Sequence, residues 1–469
     1  MTSVLGQGRG PSVRGMVLLG LPLGLVTTLG VVLTGPMAGL VLISGMLAMV
    51  GVIYRPGVLF AAFLLTEFYK GALQAFSPVD ITVLLALLNA LQVIPLIVDR
   101  RPREVSRAGT LLWVALALLV LGGVLYAPDQ DLALRGAATY WALVLLPILP
   151  AALRVGCEPR YVREFLWTFF GLGAVIVALG LTQLSSTDRL VVLAMNTIQV
   201  GRAALLVPIL GVTFVLWEGV RLARAVTIIL IPAALIVALA SGSRGPLFVV
   251  AALAGLGAIR YFARPRTLNW RLAGGIAGLA MASVVGVSLA APNLPLLSIE
   301  RFAEFGNFIQ GGLPADASIS TGDTSSAERV RLFGLAVSLF EEQPVLGVGT
   351  AGFEALSPRY LGPIDGLPYP HNALLQFAAE FGLVGVALFT SLVLLALTRR
   401  LPRGRYGLAI RVLFLFFLLN AMVSGDIFSD RETWGLLTLV LVADASRAAE
   451  GWGSTVTALR PGISSSAAA

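Results

Sequence analysis

The sequence predicts an all-α polytopic membrane protein of about 12 to 14 transmembrane helices with one large extracytoplasmic loop. Three observations predict it. The 469 residues are 57% hydrophobic and only 12% charged, where a soluble domain carries about 25% charged residues. A chain this apolar cannot cover itself with water-compatible side chains, so lipid is its solvent. Apolar runs recur at membrane length, roughly 20 residues per crossing. Arginines fill alternate gaps between those runs, as the positive-inside rule requires.

The runs lie near residues 16–33, 36–53, 58–76, 79–98, 109–126, 137–153, 165–184 and 203–217, and then near 226–242, 246–262, 272–291, 374–397, 408–423 and 433–446. The first reads as a retained span, because more spans come directly after it. One set of alternate gaps holds Arg55, then Arg100, Arg101 and Arg103, then Arg154 and Arg160, then Arg221 and Arg224, then Arg264 and Arg266, then Arg399 and Arg400. The opposite gaps are poor in arginine and carry Asp129, Asp131, Asp188, Asp426 and Asp430. The N-terminus, with Arg9 and Arg14, is therefore expected to be cytoplasmic. A net charge of +8 placed this way does not make a nucleic-acid patch, and no nucleic acid partner is expected. Cys157 is the single cysteine, which excludes an intrachain disulfide.

Residues 1–291 thus read as about eleven spans, 374–446 as the C-terminal spans, and 447–469 as a cytoplasmic, disordered tail. Between them, 292–373 reads as a large extracytoplasmic loop with amphipathic helical content, since no membrane-length run occurs there. Within it Val330, Phe333, Leu335, Val337 and Phe340 recur at near-helical spacing over Glu328 to Phe340, with Thr324 to Ser326 as N-cap candidates. Glu67 and Lys70 interrupt the third run and have no assigned role.

His371 is the only histidine. It precedes the span starting near Leu374, and histidine is the side chain suited to proton transfer near neutrality. An incidental interfacial histidine is the other reading. Arg244, in Ser241-Gly242-Ser243-Arg244-Gly245-Pro246, sits between two apolar runs on the same outer side. A charge at membrane depth is a functional candidate, although arginines at span ends also snorkel. Arg329 and Arg331 open the expected loop helix, where an anion is favoured; a solvated face paired with Glu328 is the alternative. Arg202, after Asn196-Thr197-Ile198-Gln199, is a further outer arginine or an interfacial anchor. Gln376 and Glu380 stand one turn apart on the helix after His371, as partners of the site or as polar contacts at a helix end. Arginines at a lipid surface suit a lipid-linked diphosphate, and one histidine at that level can take a proton from an incoming hydroxyl. A lone histidine gives no metal-ligand cluster, so no metal and no other cofactor is expected.

Four elements, in order, resemble one family. Ser243-Arg244-Gly245 resembles its SRG span end, and Arg329 stands four residues before an aromatic, Phe333, as its loop arginine does. Pro344-Val345-Leu346-Gly347-Val348-Gly349-Thr350-Ala351-Gly352-Phe353 resembles its glycine-rich segment. His371-Asn372-Ala373-Leu374-Leu375-Gln376, with Glu380-Phe381-Gly382-Leu383-Val384-Gly385, resembles its HN segment. The family is the O-antigen ligase-like membrane proteins, which includes O-antigen ligases, many O-antigen and exopolysaccharide polymerases, and some protein oligosaccharyltransferases.

The resemblance implies a GT-C-like, metal-independent, inverting glycosyltransferase of the bacterial inner membrane, with a periplasmic site. Its donor would be an undecaprenyl-diphosphate-linked glycan and its acceptor lipid A–core oligosaccharide, or another lipid-linked glycan in a polymerase. By the same resemblance His371 would be the base, Arg244 and Arg329 would grip the diphosphate, and Arg202 and Arg331 are looser matches. Asn372, Gln376 and Glu380 would stand behind them. A transporter or lipid flippase is the competing class; it would place charges near the bilayer midplane.

Overall fold

The computed structural model describes residues 54–74, 80–98, 107–184, 190–263, 324–362, 368–401 and 405–443, without the side chains of 258–263 and 324–328. All regular structure among them is helical. The runs expected at 16–33, 36–53 and 272–291, the stretch 292–323 and the tail 447–469 lie outside the described residues. The described helices all belong to one compact unit, Pro56–Ala469.

In chain order the helices are α1 (Pro56–Leu64), α2 (Lys70–Gln74), α3 (Ile81–Ala90), α4 (Val93–Val98), α5 (Arg107–Val124), α6 (Gln130–Thr139), α7 (Leu146–Gly156) and α8 (Pro159–Thr182). Then come α9 (Thr197–Thr213), α10 (Arg221–Ala240), α11 (Arg244–Ala263), α12 (Thr324–Glu342), α13 (Gly352–Leu361), α14 (Ala373–Thr398), α15 (Arg405–Ser424) and α16 (Arg431–Val442). Polar residues start many of them. Asp80, Asp129, Asn196, Asn372 and Asp430 each accept a hydrogen bond from the first turn they precede, and Asn196 with Gln199 completes a capping box. Pro159 opens α8, where its missing N–H costs nothing. A wide π-turn, Tyr140–Leu145, joins α6 to α7 just ahead of Pro147 and Pro150, which cannot donate the usual helical bonds.

Among the described residues, seven helices are long and apolar enough to cross a membrane: Ile81–Val98, Gln130–Gly156, Pro159–Thr182, Thr197–Trp217, Arg221–Ala240, Ala373–Thr398 and Arg405–Ser424. Two expected spans, near 109–126 and 246–262, correspond to shorter apolar stretches, Arg107–Gly123 and Arg244–Gly257. The run expected at 58–76 is not one helix. It breaks through a 3-10 turn at Thr66–Phe68 between α1 and α2, and Glu67 lies in that break. The run expected at 433–446 begins as α16, whose 12 residues reach only about 18 Å, against a hydrocarbon core of about 30 Å. Its apolar residues face protein. Trp434 is buried among the rings of Trp113, Tyr140, Phe377 and Phe389 at centroid distances of 5.2–6.2 Å.

α9 is the spine. It packs against α8, α10, α11 and α15, and ten of its residues, from Val200 to Gly211, are buried. The expected amphipathic helix of the loop is α12, longer than Glu328 to Phe340; Thr324 to Ser326 belong to the helix rather than preceding it. Leu332, Leu335, Ala336 and Leu339 bury its inner face against Val348, Phe353 and Ala379.

Candidate active site

One turn of α15 holds two of the expected site residues and packs against Gly245, the neighbour of a third, Arg244. The Asn372 side chain caps α14 by accepting from Leu375 N at 3.0 Å, and its Nδ2 donates to the Met422 carbonyl at 2.9 Å. Arg202 Nη2 donates to the carbonyls of Asn420 and Ser424 at 3.3 and 3.2 Å, and the second is an acceptor that the end of α15 leaves open. Between those two contacts, a Cβ on Gly245 would stand 3.2 Å from Val423 Cγ1, and one on Gly201 would stand 3.2 Å from Ser241 Oγ. The small residues of the Ser241–Gly245 turn therefore let α11 start against α9 and α15. His371, Arg202 and Arg244 lie at the same end of the bundle.

His371 has left-handed backbone, φ 53°, which is uncommon for a residue with a side chain. Its ring packs on Tyr369 with centroids 4.1 Å apart. Its Nδ1 is buried and has no hydrogen-bond partner among the described residues. Burial, and then the Arg329 guanidinium, lower its pKa from 6.5 to about 4, since both oppose a second positive charge. Burial pushes the Tyr369 phenol up; Asp426 and Asp430 add to this, while Arg202 and Arg329 oppose it. The structure thus brings Arg202 and Arg329 to bear on one short segment, 369–371. Arg202 keeps a buried Nε without a partner. Arg329 and Arg331 stand in the second turn of α12, not at its N-terminus, so the helix-end argument for an anion does not apply to them. Arg329 is half-buried, and Arg331 is exposed.

Gln376 and Glu380 serve a different purpose. Gln376 Nε2 donates to Asp426 Oδ1 at 3.1 Å and to Glu380 Oε1 at 3.3 Å, and its Oε1 accepts from Ile427 N. Glu380 is 1% exposed and accepts from Ala351 N at 3.1 Å. It is no surface contact at a helix end; it anchors the glycine-rich segment. That segment docks where α14 is broken at Gly382, φ 60°. The break frees two carbonyls and two N–H groups, which a helix would have paired with one another. Residues 344–349 take all four. Val348 N donates to Ala379 O at 2.9 Å and Gly349 N to Glu380 O at 2.9 Å, while Leu383 N donates to Pro344 O at 2.8 Å and Val384 N to Val345 O at 3.3 Å. Gly347, φ 66°, is required twice, since a Cβ there would stand 2.6 Å from the Ala379 oxygen. Thr350 Oγ1 donates to Val120 O of α5, and Tyr126 Oη, in the turn after α5, donates to Leu346 O, tying the same segment down.

Several residues to which the sequence alone assigns no role enter here. Glu67 Oε1 pairs with Arg431 Nη2 at 2.7 Å, and Gln199 Nε2 donates to Glu67 Oε2 at 2.9 Å. Lys70 pairs with Asp80 at 2.8 Å. The two charges inside the third apolar run are the signal, and the helix break at Thr66–Phe68 is their explanation. Asp426 gives no signal beyond a charge in a short gap. The sequence also contains one Asp-x-Asp, Asp129-Gln130-Asp131, a pattern that can hold a divalent ion. Asp129 there caps α6 through Leu132 N at 3.0 Å. Among the described residues no three His, Cys, Asp or Glu side chains are grouped as a metal site.

Residues 225–390 match the family model described as O-antigen ligase. Over those residues the chain is similar to the O-antigen ligases. The matched stretch lies in a chain whose apolar helices are those of a multi-pass membrane protein. The match takes in Arg244, Arg329, His371 and the whole lock between the glycine-rich segment and Gly382; Arg202 and Asp426 lie outside it. No curated protein matches the chain.

Proposed function

We propose that this O-antigen ligase-like protein transfers a glycan from an undecaprenyl-diphosphate carrier to a hydroxyl of an acceptor, at the periplasmic face of the bacterial inner membrane. The carrying observation is His371: a solitary imidazole with a free buried nitrogen, facing Arg329, at the end of the bundle that also holds Arg202 and Arg244. The acceptor hydroxyl gives its proton to His371 as its oxygen attacks the anomeric carbon. The bond from that carbon to the diphosphate oxygen breaks, and the electron pair leaves with the diphosphate. Attack opposite the leaving group inverts the anomeric centre. Arg244, Arg329 and Arg202 offset the growing charge on the diphosphate, a role guanidinium forks suit. Arg331, exposed on α12, has the weakest claim among the four. From Arg100 to Arg400 the arginine-rich gaps alternate with the gaps that carry the site, which supports a periplasmic site.

In the ligase form of the reading the acceptor is lipid A–core oligosaccharide; in the polymerase form it is a second lipid-linked glycan. A deletion strain separates them, leaving uncapped core in the first case and single repeats in the second. The transporter reading draws no support from the gathering of these charges at one end rather than at mid-bundle. The central test mixes purified protein with a polyprenyl-diphosphate oligosaccharide and a core acceptor, with and without chelator. Product is expected in both. His371→Ala should lower the rate by about 100-fold or more, and Arg244→Ala should lower it strongly. Product formed at the wild-type rate by His371→Ala would remove the general-base role.

A further inference from the structure

A base must be held as well as supplied. His371 sits in strained left-handed backbone, and such strain persists only where the surroundings over-determine it. Asn372, next to it, uses its amide on Leu375 N and Met422 O. Those contacts hold the backbone beside His371 and leave its ring unheld. Among the described residues no hydrogen bond orients the ring through Nδ1. What the ring does have is Tyr369, 4.1 Å away between centroids and tilted by 50°. Between the two lies Pro370, buried, whose ring fixes its own φ near −65°. A Tyr-Pro-His sequence so constrained folds the first ring back on the third.

We propose that Tyr369 is the positioning residue for His371, its ring holding the imidazole in the half-buried place that faces Arg329. The inference rests on the reading of His371 as the base and names the group that keeps it in working order. The charged neighbours come from three elements. Arg329 on α12 faces His371, while Arg202 on α9, Arg329, and Asp426 and Asp430 in the α15–α16 turn face Tyr369. Tyr369 keeps water from one face of the imidazole and leaves Arg329 as its charged neighbour. Both effects oppose protonation, which is the direction of the shift to about 4. Without the tyrosine ring, water reaches the imidazole and screens Arg329. Its protonation then moves up, towards the ordinary 6.5.

The chain has one histidine, so a ring-labelled histidine gives a single imidazole signal in the full-length protein in detergent. Its NMR titration is recorded in wild type, Tyr369→Phe and Tyr369→Ala. Wild type and Tyr369→Phe should titrate together, because the flat ring is kept. Tyr369→Ala should titrate higher by about one pH unit or more. Tyr369→Leu, which keeps an apolar group but no flat ring, replaces the alanine variant if that one fails to fold, with a shift of the same sign. A folded alanine or leucine variant titrating with wild type would overturn the proposal. So would Tyr369→Phe shifting as far as Tyr369→Ala, since the hydroxyl would then be the agent. With donor present, Tyr369→Ala should lower kcat about 10-fold and leave the donor KM nearly unchanged. The titration needs no turnover, so activity surviving His371→Ala would sink the base reading without touching this result.

Discussion

Two short segments meet helix α14, and they are built on opposite rules. Residues 344–352 dock on its break at Gly382 and satisfy the four backbone groups the break exposes. Residues 368–372 lead into its first turn and carry a buried nitrogen on His371 that no described residue satisfies; Arg202, whose charge acts on the same segment, keeps a second. Buried polar groups are normally paired; the first segment meets that rule within the protein, and the second leaves a nitrogen open at the end of the bundle where the donor is proposed to bind. The sequence resemblance covers both without distinguishing them. Physical chemistry does.

Gly347→Val breaks the architectural side hardest. It places a side chain at φ 66° and into the Ala379 carbonyl, which should cost about 3 kcal/mol or more. Thermal unfolding in detergent would show it, while whatever protein remains folded keeps its specific activity. The reverse pattern belongs to His371→Ala, whose unfolding should match wild type while transfer is lost. If Gly347→Val unfolds with wild type, the account of the glycine-rich segment fails.

The rate profile with pH sharpens the other side. A base works only when neutral, so activity is lost as pH falls through its pKa. An unperturbed imidazole would lose activity below about pH 6. The neighbours of His371 lower its pKa to about 4, so kcat/KM, which reports the free enzyme, should hold to about pH 5 and fall near 4. At pH 5 the two cases differ roughly 30-fold in neutral imidazole. A bound diphosphate offsets Arg329 and favours the protonated ring, so the acid limb of kcat should lie above that of kcat/KM. Limbs that coincide would say that donor and imidazole do not share a field.

The Glu67–Arg431 pair tests which side of the comparison a buried charge belongs to. Arg431 is 2% exposed, while the Glu67 side chain is 38% exposed. Removing the partner of a fully buried charge costs about 3 kcal/mol or more; water at Glu67 should bring Glu67→Ala to about 1–2 kcal/mol. Adding Arg431→Leu should recover most of that loss, as expected for architecture. A double variant as unstable as the sum of its parts would mean that the pair is not coupled.

These cases also show how much of the molecule is legible in its sequence. Helix class and the positions of α8, α9, α10, α14 and α15 come from apolar runs and polar caps, because lipid imposes that pattern. His371 and Arg244 stand out because a lone histidine and a charge beside a glycine turn are rare in so apolar a chain. Glu67 is visible as an anomaly but not as a partner, since Arg431 lies 364 residues away in sequence. The run at 433–446 misleads because a helix buried in protein and one facing lipid are equally apolar; only its length and the rings around Trp434 separate them. Tyr369 carries no signal, for its role depends on a left-handed residue two places on.

Asn372 joins the two regimes, and its effect should be the smallest. Its oxygen caps α14 and its Nδ2 ties the segment to Met422. Asn372→Ala removes both and should cost about 1 kcal/mol in stability, with a several-fold loss of rate as His371 loses its fixed neighbour. Asn372→Asp separates the two functions. A carboxylate accepts from Leu375 N as the amide does, so thermal stability should return. It cannot donate to the Met422 carbonyl, so the rate should remain low. An aspartate variant with full activity would show that the cap alone sets His371, and that the tie to α15 belongs with the lock at Gly382 rather than with the chemistry.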